Sequence, residues 1–486
     1  PLTVSYRNLK WKQHELETGR IFSMAQSDIE ARISKSFGQR DRNELIWTHN
    51  NYLYTYAAED EVKNITDRVS LSSNISFDRQ KRYSLSSYIS LYDQEGSNNF
   101  RKNDVIQRLN FQIHKNLRFT GDYSLYMMED DFQSMTRNRI YGSLNHQLYE
   151  SLSTGLFADY SAISQTVYDE TNLKTGIDVN YTKKIPSGGR LNLGYRYYRH
   201  NFENMGAPST VRVTNEEQIL SDTRITLLSK PYIEPGSVTV KDVTGTIIYQ
   251  EGPDYIIIQR DNFLELQRVP GGLIANGQTV SVDYTAMQPG AYSYDANNHS
   301  VSASILLFGR LIEVYYRGSF QDYVNLSGAE FLTLNYFNQN IYGGKIDLGF
   351  VNAGVEYDHY SSNIIPYSGL RYYLALNSRI GSRLLLSANG NVFDYKILDD
   401  EADQQYINIS GKLAYSISHR SKATIEAGYL SQTGRNIDLE MLTARAEVST
   451  TIRQLTLRLG ANAYNRHYLN SNFIFYGTYV EIIRKF

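Results

Sequence analysis

The sequence predicts an all-β fold: a transmembrane antiparallel β-barrel of about 22 strands, interrupted once by a small inserted β-sandwich domain. Three observations predict it. Apolar and polar residues alternate with a period of two through most of the 486 residues, prolines gather in one central block, and the connections between alternating stretches are short and long by turns.

Proline draws the domain map. Of nine, Pro208, Pro231, Pro235, Pro253, Pro270 and Pro289 lie in the central block, which divides the chain into 1–204, 205–290 and 291–486. The two flanking parts therefore keep the backbone donors that paired strands require, with Pro186 and Pro366 left to a turn and a loop.

Before residue 205 there are about eleven amphipathic segments of the length that lets a tilted strand cross a bilayer. Val69, Leu71, Ser73, Ile75 and Phe77 alternate with Ser70, Ser72, Asn74 and Ser76; Leu117, Phe119, Gly121, Tyr123 and Leu125 alternate with Arg118, Thr120, Asp122 and Ser124. Connections such as Asp78 to Arg82 and His114 to Asn116 are short, while Asp93 to Asp104 and Glu129 to Arg137 are longer and more acidic. Short turns on one rim and long loops on the other fit a barrel with periplasmic turns and extracellular loops.

The block 205–290 differs in kind. SVTVKDVTGTIIYQEGPDYIII and the residues after it are short apolar strands punctuated by Thr244-Gly245, Gly252-Pro253 and Pro270-Gly271-Gly272. Tyr255-Ile256-Ile257-Ile258 is a run of the fully buried type, which suits a sandwich with its own core. Strand parity starts this module on the long-loop side, from which it either stands on the surface or folds back into the lumen.

After residue 290 the alternation returns for about eleven more segments, among them Ile407, Ile409, Gly411, Leu413 and Tyr415 against Asn408, Ser410 and Lys412. The last stretch, SNFIFYGTYVEIIRKF, sets Ile474, Tyr476, Thr478, Val480 and Ile482 against Gly477, Glu481 and Lys485, and it stops on Phe486. This resembles the closing strand of Gram-negative outer-membrane β-barrels, although Arg484 stands where that family carries an apolar side chain. The resemblance implies that a barrel assembly machinery reads Tyr476, Val480, Ile482 and Phe486, that outer-membrane lipid surrounds the wall, and that the mature chain, its signal peptide removed, lies in the bacterial outer membrane. The insert is loosely similar to the plug that pilus ushers carry between barrel strands. Large TonB-dependent receptors instead plug their barrels with an N-terminal domain, which is not expected here.

Composition narrows the function. Cysteine is absent, which removes disulfides, thiolate metal sites and attached c-type haem, and the net charge of -2 comes with no basic run interleaved with aromatics, so no nucleic-acid partner is expected. No run approaches the length of a transmembrane helix. The nine histidines form no metal-hydrolase pair, and no nucleophile elbow appears, so no catalytic residue, no cofactor and no metal is assigned. The acidic tracts Glu59-Asp60-Glu61, Glu129-Asp130-Asp131 and Asp399-Asp400-Glu401 read as solvated loop charge, because none has the spacing of a calcium loop. Tyr195-Arg196-Tyr197-Tyr198 reads as interfacial girdle.

Arg118, Asp122, Arg196, Lys412, Glu426 and Arg458 fall on the polar faces of their segments. Facing lipid, each Arg or Lys would cost about 2 to 4 kcal/mol, so all are expected to face the lumen as pore lining, or to pair there as a salt-bridge network. Two functions remain open. One is a porin-like channel, gated or partly occluded by the insert, for passive passage of solutes or of a secreted chain. The other is a barrel scaffold whose insert or lumen holds a partner protein, for example in an electron-transfer or secretion complex.

Overall fold

The structure, a computed structural model, describes residues 2–484 apart from 15–20, 39, 57–59, 98, 132, 222–225, 244–246, 253, 261, 270–272, 289, 329–335, 399–401, 435–436 and 469–470. One antiparallel sheet of 22 strands forms the wall. Strands pair in chain order from Leu2–His14 to Gly189–Gly206 and again from Tyr292–Leu307 to Ser471–Arg484. Between the two halves Gly189–Gly206 pairs directly with Tyr292–Leu307, Arg190 opposite Leu306 and Asn204 opposite Tyr292. Leu2–His14 comes to lie beside Ser471–Arg484, which brings the sheet round into a near-closed barrel.

The period of two becomes two chemical surfaces. Outside, Leu156 and Ile425 are each 57% exposed and Ile482 63%, an apolar surface that only lipid can cover. Their sequence neighbours point inward, where charged and amide side chains meet water. Wall strands run from 11 residues (Phe337–Asp347) to 18 (Gly189–Gly206). A tilted strand crosses a bilayer in about 9–11 residues, so the longer strands continue past the membrane on the long-loop side as a collar.

The tyrosine cluster at 195–198 departs from expectation. It sits in the middle of Gly189–Gly206, and alternation divides it between faces: Tyr195 is exposed outside, whereas Tyr198 turns inward with its ring 6.3 Å from that of Phe157. Only half of any such cluster can reach lipid.

Between Gly206 and Tyr292 the chain builds two three-stranded sheets. Gln278–Gln288 lies between Ser209–Leu220 and Thr239–Asp242, and Phe263–Arg268 lies between Thr226–Leu227 and Tyr255–Arg260. They share one core, in which Leu220, Leu228, Val240, Leu264, Ile274, Val280 and Val282 are almost completely buried.

Candidate functional site

The insert folds back into the barrel and occupies its mouth on the long-loop side. Side chains around the wall show this, because each residue of a wall strand named here as touching the insert is inward-facing by strand parity. Trp47 and Leu45 are exposed to lipid, so Tyr52 and Tyr54 point in, and Tyr52 lies within electrostatic range of Asp254 and Asp242 of the insert. On the next side, Asn215 donates to the Tyr126 hydroxyl at 2.8 Å, Thr214 to the Met128 sulfur at 3.3 Å, and the Lys241 ammonium stands 5.1 Å from the centre of the Phe100 ring. Lys230 then reaches Glu170 at 3.6 Å, and Leu227 packs with Ile365 and Tyr367.

Toward the last wall strands the contact is apolar. Ile256 and Val269 of the insert are buried with Tyr406, Leu430, Leu439, Met441, Tyr464 and Phe475 of the wall. Beside it Gln267 donates to Gln432, and Arg466 to the carbonyl of Gly252. The sequence carried a signal for this seat that its period alone did not reveal. Near the long loops the inward face turns from polar to apolar, so that alternation gives way to continuous runs such as Met441-Leu442 and Phe473-Ile474-Phe475-Tyr476. Such runs mark strand ends covered on both faces.

Buried polar groups of the insert are neutralised locally. Lys241 pairs with Asp283 on the sheet face turned away from the insert's core and toward the wall, and Asp283 also accepts the Asn215 N–H at 2.8 Å. Glu265 pairs with Arg260 at 2.8 Å, yet burial holds its carboxyl above the ordinary range. Asp254 is 3% exposed; it accepts the backbone N–H groups of Gln250 at 2.8 Å and Leu273 at 2.7 Å, and burial outweighs these bonds and raises its pKa. Beneath the insert, Asp254 and Arg268 face wall residues including Arg371, Lys412, Glu426 and Glu481 across a cavity of about 1000 Å³.

The predicted lining residues all lie on the inner wall, but five of the six are tied to the strand beside them. Asp122 accepts both Nε and Nη2 of Arg108 at 2.7 and 3.2 Å. Arg196 lies 3.4 Å from Asp178, Lys412 bonds Glu426, and Arg458 donates to Glu481 at 2.9 Å. Each pair is directly opposite in the ladder register, so these are rungs between adjacent strands, not charges gathered at a constriction. Arg7–Asp28 and Arg371–Glu356 repeat this directly opposite pairing, whereas Arg139 reaches Asp159 on the next strand diagonally and Arg317 reaches Glu356 across the strand between them. Arg118, opposite Asn145 near the short-turn rim, makes no ion pair among the described residues.

Of the predicted assembly residues, Tyr476, Val480 and Ile482 lie on the outer face of the last strand and are 56%, 62% and 63% exposed. Phe486 lies outside the described residues, as do Thr244-Gly245, Pro270-Gly271-Gly272 and Asp399-Asp400-Glu401. Among the described residues, no three His, Asp or Glu side chains converge as metal ligands would.

Fold and site together define the class: a large β-barrel of the bacterial outer membrane, with a folded module of its own chain seated in the mouth. Comparison with solved structures gives the same fold. The chain superposes on the copper transporter OprC (TM-score 0.54, 8% identity, 100% of this chain and 80% of the other) and on the ferric-catecholate import receptor Fiu from E. coli (0.53, 10%, 98% and 81%). It also superposes on the siderophore receptor PiuA from Acinetobacter baumannii (0.53, 10%, 99% and 82%). All three are described as receptors or transporters and none as an enzyme. In sequence, no family model and no curated protein matches the chain.

Proposed function

We propose that this protein is an outer-membrane transport barrel held closed at rest by its own insert. One observation carries the reading: the insert sits inside the mouth, in contact with inward-facing side chains from Phe100 round to Phe475. A permanently open pore for small solutes has no use for such a stopper, so regulated passage fits better than simple porin behaviour. Barrels of this strand number enclose a lumen wide enough to need one. Transport itself requires no chemistry; the wall offers a hydrated path of paired charges and amides, and the insert decides whether it is continuous. Likeness to metal and siderophore carriers supports a transport role and leaves the cargo open. A partner chain held in the lumen would have to displace the same contacts, so the scaffold reading also requires the insert to move.

Planar-bilayer recording tests this. The intact chain should show small or rare conductance, and replacing residues 207–290 by a short Gly/Ser link should give a large steady one. Because the chain has no cysteine, the pair Gln267→Cys and Gln432→Cys can be joined by a short bis-maleimide; joining them should suppress whatever openings the intact chain shows. Equal large conductance in all forms would sink the reading.

A further inference from the structure

The rim opposite the insert has a character that transport does not explain. Every turn between wall strands on the short-turn side, except Tyr149–Leu152 and Asp347–Val351, carries at least one exposed Lys or Arg within the turn or within a few residues of it. Arg79, Lys81, Lys115, Arg383, Arg420 and Arg453 stand at the turns themselves. The acids of this rim do not balance them: Asp41, Asp78, Glu150 and Asp347 are fewer than the cations, Asp78 is already paired with Arg82, and Glu150 and Asp347 belong to the two turns without cations. The whole chain has a net charge of only -2. Positive charge has therefore been segregated to one end, while exposed acids such as Glu95, Glu129 and Asp131 lie at the other.

Backbone geometry adds an independent argument. Lys81, Arg310 and Arg453 have φ of 54°, 84° and 55°, left-handed conformations that Gly or Asn adopts at lower cost. A long cationic side chain at three such places works against local conformational preference, so turn geometry alone does not account for it.

We propose that this ring of basic turns binds anionic phospholipid headgroups of the leaflet that surrounds it. The distribution selects lipid over a soluble acidic protein. A protein partner would engage a patch on one side, whereas these cations encircle the barrel, on short turns that hold them at headgroup height just beyond the apolar band. Side chains around the circumference then meet phosphates from all sides at once, and the attraction weakens as salt rises. The ring stands apart from the insert, so its test does not depend on gating.

The experiment compares the full chain with a variant carrying Arg79→Ser, Lys81→Asn, Lys115→Ser, Arg383→Ser, Arg420→Ser and Arg453→Asn. Asn at the two left-handed positions keeps the backbone unstrained. Both proteins are reconstituted in vesicles of phosphatidylethanolamine with a minor fraction of phosphatidylglycerol, and the retained lipid shell is analysed by native mass spectrometry. Unchanged heat-modifiable gel mobility shows that the variant folds. The intact chain should retain phosphatidylglycerol above its bulk fraction, by roughly fivefold for each engaged side chain, and added salt should erode the excess. The variant's shell should approach bulk composition. An intact-chain shell of bulk composition, or equal enrichment in both forms, overturns the proposal. So does selective binding of soluble polyglutamate by the intact chain without lipid enrichment, which would make the ring a protein-docking surface.

Discussion

Asn215 of the insert donates a hydrogen bond to the hydroxyl of Tyr126, 2.8 Å away on the inner wall. It reaches that far because the ladder between Ser209–Leu220 and Gln278–Gln288 shifts register between Val213 and Glu216, and Asn215 takes up a left-handed φ of 55°. A bulge of this kind re-aims a side chain out of its sheet. Here it aims at the barrel. Asn215→Ala removes the bond together with the favourable left-handed residue, and should weaken seating by about 1 to 2 kcal/mol. In bilayers this should appear as more frequent openings at unchanged open-state conductance; an unaltered opening frequency would show the bond to be incidental.

The apolar anchor should matter more. Ile256 is 5% exposed between Met441, Leu430 and their neighbours, so Ile256→Ala should cost about 2 kcal/mol of seating or more, through lost burial and the cavity left behind. Trypsin should then cut at Arg260 or Arg268, which packing protects in the intact chain. The barrel itself should keep its heat-modifiable mobility.

Seating should also depend on pH, and Asp254 sets the direction. Its carboxyl is raised by burial, with two backbone N–H bonds opposing, and the Tyr52, Tyr249 and Tyr255 hydroxyls lie within electrostatic range of it. A carboxyl with a raised folded pKa contributes its full stability below its ordinary range, and that contribution is lost as pH rises through the raised value. Protection of Arg260 and Arg268 from proteolysis should therefore be stronger in mild acid, with an acid-active protease as the probe, than at neutral pH. Asp254→Asn should flatten this dependence. Protection that instead improves with pH would contradict the assignment.

Ion selectivity should separate Arg118 from the paired charges. With the insert deleted, Arg118→Glu should shift the reversal potential toward cations, since no neighbouring carboxylate neutralises that side chain among the described residues. The double change Arg458→Gln with Glu481→Gln removes a neutral pair and should leave the potential nearly unchanged. Equal shifts from both would mean that the rungs do not screen one another.

One wall joint makes a packing prediction. A Cβ placed on Gly460 would lie 2.3 Å from the Tyr479 ring, which covers that glycine and donates its hydroxyl to Glu447 at 2.5 Å. Gly460→Ala should push the ring away and break its tie to Arg445 and Glu447, at a cost of about 1 to 3 kcal/mol. A lower temperature for the gel-mobility transition would show it.

The barrel was legible in the sequence because two solvents enforce it. Lipid outside and water inside leave a strand no choice but alternation, and Leu117 to Leu125 or Ile407 to Tyr415 display it residue by residue. The pairing of Lys412 with Glu426 was not legible, since it depends on register, which the length and shape of the turn at 417–420 decide. Nor was the seat of the insert. Ile256 and Met441 are far apart in the chain, and only the loss of alternation at the strand ends hinted that something covers them. Tyr195–Tyr198 misled for a related reason: composition counts rings without saying which way each one points.

Both connections of the insert emerge at one place. Gly206 ends one wall strand, Tyr292 begins the next, and those strands are bonded to each other up to Asn204 and Tyr292. The module thus hangs from a single seam, like a bell clapper from its pivot, and no rung of the wall has to break for it to swing. Whatever force dislodges it has only side-chain contacts to overcome, and the cylinder can stay whole throughout.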